Sequence, residues 1–264
     1  MKKEIPILFS TPMVEAILAG RKTQTRRIMK PQIQCNHYDY TEATWQNEPT
    51  KWSTEAMKET GHTYCVFCGN GMQYGKGNDG IRCPYGKPGD ILYVRESWRL
   101  KGFWFEEGEV IVEYADGKKE MFVYDEDNQD WVVKHWEKLV DKGIIVPSEA
   151  SASPDATDED LLMEWAEGVK HPFKPNIHLP TWLSRIWLEV IDVRVERLND
   201  ITDEDAVAEG VETLGLYPGY KVSPKGKFEG LWNSINGPES WDANPWVWVI
   251  EFKVLSTTGK PELS

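Results

Sequence analysis

The sequence predicts an α+β fold, mainly β: a small closed β-barrel with flanking helices and a large central insertion. Short strand-like runs cluster towards both ends of the chain with few helices between them, as a small barrel requires. Strands and helices do not alternate in the manner of a doubly wound sheet, and no internal repeat is present. The middle of the chain is first polar and Gly-rich, then acidic, with little periodicity in either part. The expected organisation is a barrel from 1–30, 86–115 and 176–264, a cysteine-bearing insertion over 31–85, and an acidic flexible insertion over 116–175.

Pro6-Ile7-Leu8-Phe9-Ser10 reads as the first strand. Pro12 to Ala19 has apolar residues at helical spacing, with Thr11 as N-cap and Pro12 at the first helical position. Gly20 is the expected C′ residue, ending that helix in a left-handed conformation. Gly86 to Asp90 is a turn, followed by strands at Ile91–Glu96 and Glu109–Tyr114. From about Asp125 to Lys174 the chain turns acidic. Its run Pro147 to Asp155 cannot bury enough apolar surface to order itself and reads as a flexible loop. A short helix is expected from about Asp158 to Glu167. Ile186 to Val195 alternates as a half-buried strand should. Thr202 to Gly210 is a helix with both ends marked, by a Thr202/Asp205 capping box and a terminal glycine. A further helix spans Lys227 to Ile235, and Pro245 to Val254 is the closing strand.

A net charge of −13 over 264 residues argues against a general nucleic-acid coater, which needs a basic surface to release counterions. A basic pocket on an acidic body suits a small ligand, or one nucleotide at a time, better than a duplex. No stretch approaches the roughly 18 apolar residues of a membrane span. The start, Met1-Lys2-Lys3 and then Ile5-Pro6-Ile7-Leu8-Phe9, is too short and Pro-interrupted for a secretory signal. The expected location is cytoplasmic, with no membrane partner.

Thiols stay reduced in that compartment, so Cys65-Val66-Phe67-Cys68 reads as metal-binding or redox-active rather than as a disulfide. The Cys-x-x-Cys-Gly turn resembles a zinc knuckle. With Cys35 upstream and Cys83 ahead of Pro84, four thiolates would close a tetrahedral Zn2+ site. Such a site is structural, because no position stays open for water. His37 and His62 are the substitutes for Cys35.

The run Gly20-Arg21-Lys22-Thr23-Gln24-Thr25-Arg26-Arg27 combines a lysine, two hydroxyls and three arginines directly behind a helix end. That mixture suits chemistry on an anionic or carbonyl-bearing substrate. A bare basic turn that only grips phosphate is the simpler reading of the same residues.

Three segments together resemble the ASCH family of the PUA-like superfamily. Its G-x-K-T-x-T-x-R hallmark is matched by Gly20, Lys22, Thr23, Thr25 and Arg27. The likeness extends to Ile17-Leu18-Ala19, to Lys87-Pro88-Gly89-Asp90-Ile91-Leu92, to the Leu198–Glu209 segment and to Val249-Ile250-Glu251-Phe252-Lys253. Within the family the chain is similar to a long, zinc-bearing group found in phage and prophage genomes. The resemblance implies a PUA-like barrel covering about half the chain. Some compact members are amidohydrolases that deacetylate N4-acetylcytidine with a lysine, a threonine and a glutamate, which fall here on Lys22, Thr25 and Glu209. Other members bind or cleave RNA, so the implied partner is a nucleoside or single-stranded RNA.

Amide hydrolysis needs a nucleophile, a base and a proton donor for the leaving amine. Thr25 is the candidate nucleophile or water anchor. Lys22 is the candidate base, provided burial and its arginine neighbours lower its pKa. Lying at i and i+3, Lys22 and Thr25 converge on a helical or turn backbone and diverge on a strand. Glu209 stands at a helix C-terminus, where the dipole disfavours a carboxylate. Arg21, Arg27 and Arg185 are candidates for binding phosphate or carboxylate. Of the 13 tryptophans, Trp98, Trp182, Trp232 and Trp246 lie beside turn or motif segments and could stack on a base, with Trp182 the one named as a substrate-binding candidate. Two rivals stand beside the hydrolase: a non-catalytic RNA- or nucleotide-binding module, and a phage-encoded protein that engages a host protein.

Overall fold

The computed structural model describes residues 2–30, 32, 37–39, 44–46, 54–63, 81–105, 107–147, 163–165, 171–212 and 222–262. In chain order its elements are β1 (Glu4–Leu8), α1 (Thr11–Leu18), β2 (Gln24–Ile28), β3 (His37–Asp39), β4 (Thr44–Gln46), α2 (Thr54–Thr60), β5 (His62–Thr63), β6 (Ile81–Arg82) and β7 (Ile91–Arg95). They continue with β8 (Trp98–Trp104), β9 (Glu109–Tyr114), β10 (Lys119–Val123), α3 (Glu126–Asp141), β11 (Ile145–Pro147), β12 (Met163–Trp165), β13 (Trp187–Arg197), α4 (Asp203–Ala208), α5 (Pro224–Asn236) and β14 (Trp246–Ser256). The fold is α+β and mainly β. It divides into two compact units, 1–95 with 184–264, and 96–183.

The first unit is built on a five-stranded sheet in the order β1-β7-β13-β14-β2. Strands β13 and β14 pair antiparallel along most of their length, with a shift in register between Val190 and Asp192. Strand β1 joins β7 in parallel, and β2 joins β14 antiparallel. The expected closed barrel is not what the described residues form: β1 and β2 are the edges, and no ladder joins them. Pro6 lies in edge strand β1, where its missing N–H breaks no internal ladder.

Strand β14 is buried on both faces, which explains its unbroken apolar run. Trp246, Trp248, Ile250 and Phe252 join the main core with Ile7, Phe9, Val14, Ile17 and Val193. Val247 and Val249 point into a second cluster with Ala206, Phe228, Trp232 and Trp241, beneath α4 and α5. The helix ends follow local rules. Ser10, one residue earlier than expected, is the N-cap of α1, and Gly20 adopts a φ of +70° beyond its C-terminus. Thr202 and Asp205 form the reciprocal capping box of α4, Glu209 is its C-cap, and Gly210 follows at φ +92°. Ser223 caps α5 through Gly226 N–H, so that helix begins before Lys227.

The second unit carries the antiparallel sheet β10-β9-β8 and helix α3. Trp98, Leu100, Val110, Val112, Tyr114, Val132 and Leu139 form its core. Within 116–175, read from sequence as an acidic flexible insertion, β10 and α3 are regular elements. Asp125 caps α3 through Asn128 N–H, acids occupy its first turn, and Lys138 its last, all favourable to the helix dipole. The expected helix at 158–167 and the 147–155 loop lie largely outside the described residues, except that Met163–Trp165 is a strand paired with β11. Among the described residues no helix is long and apolar enough to cross a membrane.

Candidate active site

Lys22, Gln24 and Arg26 alternate along the chain, and each bonds to α4 or to its C-cap residue Glu209. Lys22 Nζ donates to Glu209 Oε2 at 2.8 Å and to the Glu209 backbone carbonyl at 2.9 Å. Arg26 Nη1 donates to the second carboxylate oxygen, Oε1, at 3.3 Å. Its Nη2 reaches Glu196 at 3.1 Å and Asp205 at 3.0 Å. The backbones meet as well: Lys22 and Glu209 form an isolated antiparallel bridge, and Thr23 N–H donates to Ala208 at 2.8 Å. All three side chains are shut from water, at 1% exposed for Lys22, 4% for Glu209 and 0% for Arg26.

Two local features bring these segments together. The N–H groups of Arg21 and Lys22 both donate to Ala16 O, at 2.9 and 3.1 Å, folding the chain back on the end of α1. Gly210 then permits close approach. A Cβ there would lie 2.9 Å from Ala16 Cβ and 3.0 Å from Lys22 Cβ, and the positive φ disfavours a side chain independently.

A cavity borders this cluster. Lys22, Thr25, Arg26, Arg27 and Glu209 supply its polar side, while Phe228, Leu231, Trp232 and Ile235 of α5, with Met13 and Ile28, supply its apolar side. Its volume of about 60 Å³ suits a few waters or one small functional group rather than a whole nucleoside. Thr25 is buried in β2 opposite Ile250, and its hydroxyl has no hydrogen-bond partner among the described residues. Arg26 Nε, Arg27 Nε and Trp232 Nε1 are likewise buried and unpaired among the described residues. Each such donor costs roughly 1–3 kcal/mol unless something accepts its proton.

Burial pushes the Lys22 amine below the ordinary lysine range. Glu209 opposes this by charge and hydrogen bond, and the Arg27 and Arg26 charges reinforce it. Burial also lowers Arg27, against Tyr85 and Glu209. For Asp205 burial is the largest single effect and pushes upward, yet Gln24, Arg26, the Thr202 backbone and Arg194 together hold it below the usual carboxylate range.

The residues singled out from sequence distribute unevenly. Lys22, Thr25, Arg27 and Glu209 border the cavity together. Thr25 does so from strand β2, not from the turn or helix expected, while Lys22 lies before that strand. Arg27 Nη2 donates to Leu8 O at 2.6 Å, and its guanidinium lies 5.2 Å from the Phe9 ring centre. Arg21 is exposed, donating to Gly210 O at 3.1 Å with Glu212 at 3.8 Å. Arg185 is fully buried in the first unit and is not part of the cavity lining. Trp182 belongs to the second unit, where its ring packs edge-on to Trp131 and Phe122 in the core. Arg26, Phe228 and Leu231 line the cavity without having been singled out. Arg26 sat in the basic run beside residues with motif matches, and the α5 pair has only helical periodicity as a signal.

Of the expected zinc ligands, Cys35, Cys65 and Cys68 lie outside the described residues. Cys83 is buried, and burial pushes its thiol up to about 12. The backbone at Tyr85 hydrogen-bonds that sulfur, and Gly86 N–H closes the turn onto Cys83 O at 3.3 Å. Cys83 thus belongs to the main core, where burial favours the neutral thiol. Among the described residues no group of three or more His, Cys, Asp or Glu side chains could hold a metal.

No family model matches the chain, and neither a curated protein nor a solved structure matches it.

Proposed function

We propose that the chain is a PUA-like protein of the ASCH type whose first unit acts on a nucleoside, free or exposed in single-stranded RNA, by hydrolysing an N-acyl group such as that of N4-acetylcytidine. The observation that carries this reading is the buried contact between Lys22 and Glu209, 2.8 Å long, on a cavity that Thr25 also borders. A proton passing along that contact from Lys22 to Glu209 leaves a free amine and a carboxylic acid, the base and acid that amide hydrolysis needs.

The Lys22 amine then takes the proton of the Thr25 hydroxyl, or of a water held by it, as that oxygen adds to the acyl carbonyl. Glu209 gives its proton to the leaving nitrogen as the C–N bond breaks, and the nucleoside departs as its amine. Where Thr25 itself attacks, a water hydrolyses the resulting acyl ester, releasing the acid and restoring the hydroxyl. The small volume fits the acyl end, and the base would lie across the mouth beside the half-exposed Leu231 and Ile235.

The test is release of cytidine from N4-acetylcytidine by the purified chain, abolished in Lys22→Ala and in Thr25→Ala. Absence of turnover at high enzyme concentration with several acylated cytidines would sink the enzymatic reading. The place of Arg26 and Arg27 on the cavity wall supports a second reading, a non-catalytic nucleotide- or RNA-binding module. Its signature is salt-sensitive binding without turnover, lost on Arg27→Ala as readily as on Lys22→Ala.

The proposal includes one structural zinc ion held by Cys83 with Cys65, Cys68 and either Cys35 or a histidine. Metal analysis of the purified protein checks this, and far less than one equivalent would remove it.

A further inference from the structure

We infer that Arg26 is a positioning residue for this site: anchored by Asp205 and Glu196, its guanidinium holds Glu209 Oε1 and leaves Oε2 as the oxygen that exchanges a proton with Lys22. The inference rests on the hydrolytic reading of the Lys22–Glu209 contact.

The last torsion of a glutamate is broad and nearly two-fold, so its oxygens change places readily unless different partners distinguish them. At Glu209 they do. Oε2 accepts from Lys22 Nζ at 2.8 Å, and Oε1 from Arg26 Nη1 at 3.3 Å. The guanidinium is itself fixed by its other arm, where Nη2 donates to Asp205 Oδ2 at 3.0 Å and to Glu196 Oε2 at 3.1 Å. Arg26 lies in β2, Asp205 in the capping box of α4, and Glu196 in β13, so one planar fork ties three elements to the carboxylate.

Charge balance alone does not account for this placement. Arg194 already bonds to both Asp205 and Glu196 and supplies them with a cation. What Arg26 adds is the bridge from those two acids to Glu209. A lysine in its place keeps the charge but lacks the rigid set of N–H groups that spans the gap. The bridge also orders the protons. Oε1 is filled by an N–H that a guanidinium does not release, so the proton leaving Lys22 Nζ goes to Oε2. From Oε2 it passes to the leaving nitrogen as the C–N bond breaks.

The test compares Arg26→Lys with the parent chain in turnover of N4-acetylcytidine and in a 15N NMR titration of the Lys22 amine. A fall in kcat of about ten- to a hundredfold is expected, with KM within about twofold. The Lys22 amine should titrate higher, because the Arg26 charge is one of the influences that lower it and a lysine drawn to Asp205 and Glu196 stands further off. Parent-like kcat in Arg26→Lys would show that any cation suffices, overturning the inference and leaving the proposed function standing. Should Arg26→Lys fail to fold, Glu196→Ala removes one anchor of Nη2 without touching Glu209. Its kcat should fall about three- to tenfold at constant KM, and an unchanged kcat overturns the inference. Absence of turnover in the parent chain defeats the proposed function instead. The NMR titration then decides for Arg26, and a Lys22 midpoint unmoved in the variant overturns its positioning role.

Discussion

Lys22 Nζ and Glu209 Oε2 lie 2.8 Å apart although 187 residues separate them in the chain. The contact closes a loop between the segment after α1 and the end of α4, and it is made out of reach of solvent. Arg26 occupies the other oxygen of the same carboxylate. One buried acid thus faces two buried cations, of which Arg26 also pairs with Glu196 and Asp205 while Lys22 pairs with Glu209.

That arrangement makes Glu209→Gln the most damaging conservative change at the site. A loss of about 3–5 kcal/mol in urea unfolding is expected, because the desolvated Lys22 ammonium loses the carboxylate it pairs with. The Lys22 amine should also titrate lower than in the parent protein, since Glu209 raises its pKa while burial and the arginines lower it. NMR titration of the labelled lysine reads this directly. A shift to higher pH would contradict the assignment.

Thr25→Val separates fold from chemistry. The hydroxyl has no partner among the described residues, so its loss should change stability by less than about 1 kcal/mol. Valine also suits the strand. Acyl-cytidine turnover should nevertheless disappear. A variant that unfolds easily would show that the hydroxyl holds the fold together.

Gly210→Ala tests the close approach. The new methyl meets Ala16 and Lys22 at 2.9 and 3.0 Å in a backbone conformation that L-residues avoid. A destabilisation of about 2–4 kcal/mol is expected, measured by chemical unfolding. Wild-type stability in this variant would mean the two segments sit further apart than the geometry indicates.

The second unit should lose stability in mild acid. Burial is the main cause that depresses His135 and His171 to about 4, from an ordinary value of 6.5. The unfolded chain therefore binds these protons first, so their contribution is complete above about 6.5 and is lost as pH falls towards 4. Between 6.5 and about 5.5 the ordinary carboxylates have barely begun to protonate, which isolates the histidines. Thermal melts across that window should show a falling Tm, flattened in the His135→Gln/His171→Gln double variant. A Tm independent of pH in the parent protein would refute it.

The helix α3 shows where composition misleads. Its cap at Asp125 and its apolar residues at Trp131, Val132, Trp136, Leu139 and Val140 were visible in the chain, but the acidic average of the region masked them. The ends of α1 and α4 were legible because capping is decided by neighbours a few residues apart. Strand pairing is not local in that sense. The open order β1-β7-β13-β14-β2 depends on which edges find each other, and separate strand-like runs do not encode that one by one.

By itself, the sequence determined the short-range features: strands β1, β7, β9, β13 and β14, the glycine stops, the capping box and a basic segment with a lysine and threonine in motif spacing. Only the tertiary structure decided that Glu209 takes Lys22 and Arg26 on its two oxygens, that α5 walls the cavity with Trp232, and that Trp182 and Arg185 go elsewhere. The physical reason is reach. Caps and turns are satisfied within one helical turn, whereas a buried charge must find its partner wherever the folded chain brings one, and water cannot stand in for it.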